Sequence, residues 1–293
     1  MPDRLQYEVV DVFTDRPYGG NPLAVVLDAD GLTPAAMQSV AREFNLSETV
    51  FVCRPTRSDA AYAVRIFTPT TEIPFAGHPT IGAAATLVRL DRVPAGRVVQ
   101  ECGRGPVPVD VSGGGDGASL EVTGADLGRE LDPAPLLAAA GLTAADLTGP
   151  PPREAGCGMT FPFLPVRPDA VSRAANRPQP GVSHLAVFAW DGDTRTAHLR
   201  AFLPGFGVAE DAASGSAVLG LGVWLVGAGL LPGDGESAYH VRQGAELCRP
   251  SRLDGTVTAR GGAVQRVRLG GGVRAIASGT IRVPPDGQST GPD

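Results

Sequence analysis

Arg65-Ile66-Phe67-Thr68-Pro69 returns later in the chain as Arg200-Ala201-Phe202-Leu203-Pro204. Each copy closes an alternating run, Ala61 to Phe67 and Thr196 to Phe202, with the period of a half-buried strand. A loop follows each copy, and then a helix start rich in small residues: Gly77-His78-Pro79-Thr80-Ile81-Gly82 and Gly215-Ser216-Ala217-Val218-Leu219-Gly220. Gly77 falls on Gly215 and Gly82 on Gly220, and the second loop is longer by three residues. A strand, a proline stop and a helix start recurring in one order indicate a duplicated unit. The two helices carry no charge through their cores, so neither has a polar face to present to water. The expected fold is α+β, with two pseudo-symmetric halves. Each half is a strongly curved sheet wrapped around its central apolar helix, with an active-site cleft between the halves. Residues 1–128, completed by a C-terminal segment, are expected to form the first half and 129–293 the second. Pro150-Pro151-Pro152-Arg153 has the composition of a boundary between them.

Other elements read conventionally. Thr33-Pro34 opens a helix with a cap residue and a proline at its first position, running to Phe44. Glu48 to Val52 reads as the next strand, Ser112 to Gly117 as a tight turn, and Pro284 to Asp293 as a tail. Ala212 to Gly233 is uncharged and long enough to span a bilayer, but five glycines between Gly215 and Gly229 and the shorter twin at Ile73 to Val88 favour a helix buried in protein.

Composition narrows the function. The chain of 293 residues is 43% hydrophobic and 19% charged, enough to bury a sizeable core. A net charge of -6, with arginine as its only strong base, argues against a nucleic-acid partner. Cys53, Cys102, Cys157 and Cys248 form no Cys-x-x-Cys pair, so a structural zinc site is not expected and free thiols are. Asp3 and Arg4 lead into a strand-like run without an apolar segment, so no signal peptide is expected and the cytoplasm is the expected location.

Helix N-termini gather unpaired N–H groups and the positive end of the helix dipole, and small residues there let an anion approach the backbone. Gly77-His78 and Gly215-Ser216 are therefore two candidate anion sites for a carboxylate substrate. His78 exchanges protons near neutrality. Asp211 lies four residues before Gly215. Glu48 stands where a helix hands over to a strand, and a glutamate shielded there from water has a raised pKa and can shuttle a proton. Singly, each has a plainer reading: Glu48 as a strand-start carboxylate, His78 as a capping histidine, Asp211 as a dipole partner. Glu210 reads only as a dipole partner, and His184, His198 and His240 as structural.

In combination the motifs resemble the phenazine-biosynthesis PhzF-like family, within the diaminopimelate-epimerase-type fold. The resemblance is carried by Asp11-Val12-Phe13-Thr14, Gly20-Asn21-Pro22-Leu23-Ala24-Val25, Asn45-Leu46-Ser47-Glu48-Thr49, Arg65 to Pro69, Glu72 to Thr80, Glu210 to Ala217, Gln243-Gly244 and Arg249-Pro250-Ser251. It implies catalytic roles for Glu48, His78 and Asp211, and substrate binding by Gly77, Gly215 and Ser216. It also implies a homodimer and an acid/base isomerisation of a small carboxylic acid, such as a dihydro-hydroxyanthranilate, with no metal and no organic cofactor. Where the family usually has proline after the aspartate and threonine before the glycine, this chain has Ala212 and Ser214. Epimerases of this fold use a cysteine at each helix start, and neither Pro74 to Thr80 nor Glu210 to Ala217 contains one. An epimerase working without cysteines, or a binding protein without turnover, are the other readings.

Overall fold

The computed structural model describes residues 3–284, so all of the tail-like segment after Pro284 lies outside it. In chain order the elements begin with β1 (Arg4–Val12), β2 (Asn21–Val26), α1 (Pro34–Phe44), β3 (Glu48–Cys53), β4 (Tyr62–Phe67) and β5 (Glu72–Ile73). Then come α2 (Gly77–Arg89), β6 (Gly96–Cys102), β7 (Gly105–Val111), β8 (Gly117–Thr123) and β9 (Ala125–Glu130). Next are α3 (Pro133–Ala140), β10 (Arg153–Cys157), β11 (Met159–Pro165), α4 (Pro168–Arg173), β12 (Leu185–Asp191), β13 (Thr196–Leu203) and β14 (Val208–Asp211). The series ends with α5 (Gly215–Gly227), β15 (Gly235–Gln243), β16 (Ser251–Arg260) and β17 (Ala263–Arg282).

The chain divides into two units. One takes the described residues of Met1–Tyr18, Pro22–Leu120 and Gly271–Asp293; the other takes Gly19–Asn21 and Glu121–Gly270. Strands β8 and β17 each contribute to both. Pro150 to Arg153 is not a boundary: it leads into β10 inside the second unit, where prolines start a strand after a turn.

In the first unit the described strands pair in the order β1, β2, β3, β4, β6, β7, β8, β17 and back to β1, which closes a barrel. The β2–β3 and β4–β6 pairs are parallel, because α1 and α2 are their crossovers. The second unit repeats the pattern: β11–β12 and β13–β15 are parallel, with α4 and α5 as crossovers, between antiparallel neighbours. Both units are thus sheets wrapped around a helix, and the α+β pseudo-symmetric fold expected from the repeat is the one observed.

The wrapped helices are α2 and α5. Every residue from Gly77 to Val88 is buried, and every residue from Gly215 to Val226 except Ser216. Repeat-related glycines let each helix lie close to its wall. A Cβ on Gly82 would stand 2.5 Å from Leu23 Cδ2, and one on Gly220 would stand 2.9 Å from the Ala155 carbonyl oxygen. The shorter helices cover the outside. Met37, Val40 and Ala41 of α1 pack on Phe51 and Phe67, while Leu136, Leu137 and Val171 of α3 and α4 pack on Leu185, Val187 and Phe202. Helix α1 has the expected ends: the Ala36 N–H donates to Thr33 Oγ1 at 3.2 Å, and Asn45 closes it in the left-handed region at φ 50°. No helix among the described residues is long and apolar enough to cross a bilayer.

The two glycine contacts make different demands. The Leu23 methyl can turn aside, whereas the Ala155 carbonyl belongs to a strand paired on both edges. Alanine in place of a helical glycine gains about 1 kcal/mol in propensity, but overpacking costs about 1–3 kcal/mol. Gly220→Ala is therefore expected to destabilise the protein and Gly82→Ala to do so less, as read from urea unfolding midpoints. The opposite order would contradict this account of the helix seat.

Candidate active site

Glu48 opens β3, three residues after the α1 C-cap Asn45. Alternation along β3 sends Phe51 and Cys53 outward to α1, so Glu48, Val50 and Val52 face α2. The parallel register sets Glu48 beside Leu23, the residue against Gly82, which confirms the same facing. His78, the second residue of α2, brings Nε2 to 3.5 Å from Glu48 Oε2. That is a contact beyond hydrogen-bond length. The side chains are 6% exposed at His78 and 18% at Glu48, so the carboxyl meets solvent only at its edge. Burial pushes its pKa up to about 7 from 4.5, partly opposed by a hydrogen bond from the Ser47 side chain. Glu48 Oε2 has no hydrogen-bond partner among the described residues.

The start of α2 has no side-chain cap, and Pro79 at the third position supplies no N–H. The start of α5 is capped by Ser214, whose Oγ accepts from Ala217 N at 3.4 Å. Different chemistry thus sets the third position of each helix apart from the two before it, Gly77–His78 and Gly215–Ser216.

Asp211 ends β14 in the second unit. Its Oδ1 accepts from Asn21 Nδ2 at 2.7 Å and from the Ala213 N–H at 3.3 Å. The loop from Asp211 to Ser214 is held from several sides. Gln243 Nε2 donates to the Asp211 carbonyl at 2.7 Å, Gln243 Oε1 accepts from Ser214 N at 3.1 Å, and Ser251 Oγ donates to the Ala212 carbonyl at 3.0 Å. Gly244, at φ 75°, packs its backbone on the same carbonyl, where a Cβ would stand 2.5 Å from oxygen. The first unit repeats the device at the matching place: Gly103 lies against Pro74, with its Cβ position 2.9 Å from Pro74 Cα. Ala212 is held by these contacts on its carbonyl.

Glu48, Gly77 and His78 are brought together in the first unit, and Asp211, Gly215 and Ser216 lie within six residues of one another in the second. Asn21, Gln243 and Ser251 carry no role in the sequence reading, yet they build the Asp211 loop. Their signal was present only as motif segments far apart in the chain. Glu210 departs from the role its position suggests. It does not serve the α5 dipole but forms a two-pronged pair with Arg200, Nε to Oε1 at 2.8 Å and Nη2 to Oε2 at 2.6 Å. The three remaining histidines are held by local partners: His184 by Ser183 Oγ and the Thr160 carbonyl, His198 by Glu246, and His240 by Asp254. Among the described residues no group of three or more His, Cys, Asp or Glu side chains is placed to hold a metal.

A family model described as phenazine biosynthesis-like protein matches residues 10–126 and 163–279. An uncharacterized isomerase of Mesorhizobium japonicum is 37% identical over 94% of this chain and 98% of its own. The trans-2,3-dihydro-3-hydroxyanthranilate isomerase of Pseudomonas aeruginosa is 34% identical, again over 94% of this chain and 98% of its own. A Bacillus anthracis protein of the PhzF family has the same fold, with a TM-score of 0.85 at 24% identity over 96% of this chain and 99% of that one.

The raised Glu48 pKa is also a statement about stability. The folded state holds this proton more tightly than the unfolded state does, so the contribution is fully present below about pH 4.5 and is lost as pH rises through about 7. Glu48→Gln removes the titration. The unfolding free energy of the native protein relative to this variant is expected to fall by about 3 kcal/mol between those pH values and to level off above them. A difference that does not change with pH would contradict the burial of this carboxyl.

Proposed function

The chain belongs to the phenazine biosynthesis-like protein family and is an isomerase, and from that premise we propose that Glu48 moves a proton between two carbons of a small carboxylic acid. The observation that carries this reading is the Glu48 carboxyl facing α2, screened from water and raised to about 7, beside His78 Nε2 at 3.5 Å. A group that takes a proton from one carbon and returns it to another must be stable in both forms at the working pH. A carboxyl with a pKa near 7 meets that requirement, and one at 4.5 is too weak a base.

In the proposed cycle the Glu48 carboxylate accepts the proton of an acidified C–H. The electron pair passes into the conjugated system of the substrate, and its negative charge is stabilised by the Gly77 and His78 amides. Glu48 then returns the proton at a different carbon, so no net proton is consumed. His78 orients the substrate against Glu48. Asp211, Gly215 and Ser216 anchor its polar groups. The chemistry requires neither metal nor organic cofactor, because conjugation in the substrate acidifies the C–H.

The repeat supports a single proton carrier. Thr49 pairs with Phe67 in the first unit, and Leu185 pairs with Phe202 in the second. Since Phe202 repeats Phe67, the residue corresponding to Glu48 is His184, and Ser183 corresponds to Ser47. Both His184 nitrogens are engaged, Nε2 with the Thr160 carbonyl at 2.6 Å and Nδ1 with Ser183 Oγ at 2.8 Å. The second unit has no carboxylate at this place. A proton shift needs one such group.

The first substrate to test is trans-2,3-dihydro-3-hydroxyanthranilate, named for the relative above. Glu48→Gln keeps the shape of the side chain but cannot accept the proton. It is expected to bind substrate nearly normally and to lose at least about a hundredfold in kcat. Asp211→Ala and Ser216→Ala are expected to raise KM more than they lower kcat. A Glu48→Gln enzyme retaining most of its turnover would remove Glu48 from the mechanism. Unchanged KM in the other two, with kcat losses as large as at Glu48, would remove their anchoring role.

A further inference from the structure

Five residues before each central helix stands a glutamate, Glu72 before Gly77 and Glu210 before Gly215. Each is gripped at two points by the arginine of the repeated motif. Arg65 Nε and Nη2 reach Glu72 Oε1 and Oε2 at 2.7 and 2.6 Å, and Arg200 meets Glu210 in the same pattern at 2.8 and 2.6 Å. Each guanidinium also stacks over the motif phenylalanine, 5.3 Å from the Phe67 centroid and 5.0 Å from that of Phe202. The second loop is longer by three residues, yet the pair, the stacking and the five-residue lead are identical. The extra length has been accommodated on the far side of the pair.

The strands that carry these glutamates are weak by themselves. β5 has two residues, Glu72 and Ile73, and β14 has four with an irregular register against β13. Such a strand is free to slip, and a slip by one residue turns each side chain to the opposite face. After Glu72 the chain enters the loop to Gly77 and His78. After Glu210 the next residue is Asp211. A two-pronged arginine pair fixes both position and orientation. Burying such a pair adds little net stability, since its desolvation opposes its attraction. Arg200 and Glu210 are each only 9% exposed, whereas Arg65 and Glu72, 32% and 40% exposed, gain little because water screens them. Arg200 Nη1 also donates to the Ala174 carbonyl beyond α4, which anchors the guanidinium to the unit's outer layer. The pairs hold a register more than they hold the fold.

We infer that Arg65–Glu72 and Arg200–Glu210 are positioning residues, two repeat-related clamps that set where His78 and Asp211 stand. The inference rests on the roles proposed above for the two helix starts.

The test uses the full chain with Glu72→Ala, Glu72→Gln, Glu210→Ala and Glu210→Gln. Glutamine keeps an acceptor for the arginine; alanine keeps none. Backbone amide NMR shifts need no substrate. Glu72→Ala is expected to move Gly77 and His78, Glu210→Ala to move Asp211 and Gly215, and the glutamine variants to return most of each shift. With trans-2,3-dihydro-3-hydroxyanthranilate, Glu72→Ala is expected to lower kcat about tenfold with little change in KM, and Glu210→Ala to raise KM about tenfold. Amide shifts at wild-type positions in both alanine variants would overturn the inference. So would shifts without the kinetic split, or glutamine variants no better than alanine ones while melting temperature falls in step. Loss of activity in all four with these amide shifts intact would likewise count against the clamps. If instead Glu48→Gln is fully active while the amide shifts appear as expected, the proton-carrier reading fails and the positioning stands.

Discussion

A helix without a polar face is stable only where other protein covers it on every side. Helices α2 and α5 impose that constraint, and the architecture answers it with strands wrapped around each. Burial at the helix body requires close approach, which Gly82 and Gly220 permit. It leaves the helix starts as the one part of each helix with amides to offer. It also explains Glu48: a carboxyl on a strand facing such a helix loses most of its water, and its pKa rises for that reason alone. The chemistry proposed for this chain is thus a consequence of how the fold buries its helices.

The duplication sets the same framework twice, and the two copies differ around the helix starts and the strands beside them. Proline takes the third amide out of play in α2, and a serine cap takes it in α5. Gly103 and Gly244 press on equivalent loop residues, but only the second loop adds the Gln243 and Ser251 bonds. Glu48 and its counterpart His184 both follow a serine that bonds to them. One remains a buried carboxyl with an oxygen to spare, and the other is held at both nitrogens. A repeated scaffold with one such carboxyl suits the proposed proton shift within one molecule.

Much of this was legible in the sequence, because the repeated motif fixes a strand, a stop and a helix start together. The α1 helix followed from Thr33-Pro34, and β3 from the run Glu48 to Val52, although which face Glu48 takes needed the packing of Phe51 on α1. What was not legible depended on distance in sequence. Glu210 reads as a dipole partner until Arg200, ten residues earlier, is seen to fold back onto it. Asn21 and Asp211 are 190 residues apart, and no local pattern joins them. The Pro150 to Arg153 stretch has the composition of a boundary, but proline-rich turns also precede strands, and here one does. Composition marks a turn without saying whether the chain leaves its unit there.

The central claim is that the fold itself holds Glu48 at a pKa suited to carrying a proton. Its most direct test is a carbon-13 NMR titration of the glutamate side-chain carboxyls, with the Glu48 signal assigned by its loss in the Glu48→Gln variant. The account predicts a midpoint about 7 for that one carboxyl. A midpoint near the ordinary 4.5 would show a solvated carboxylate and contradict it.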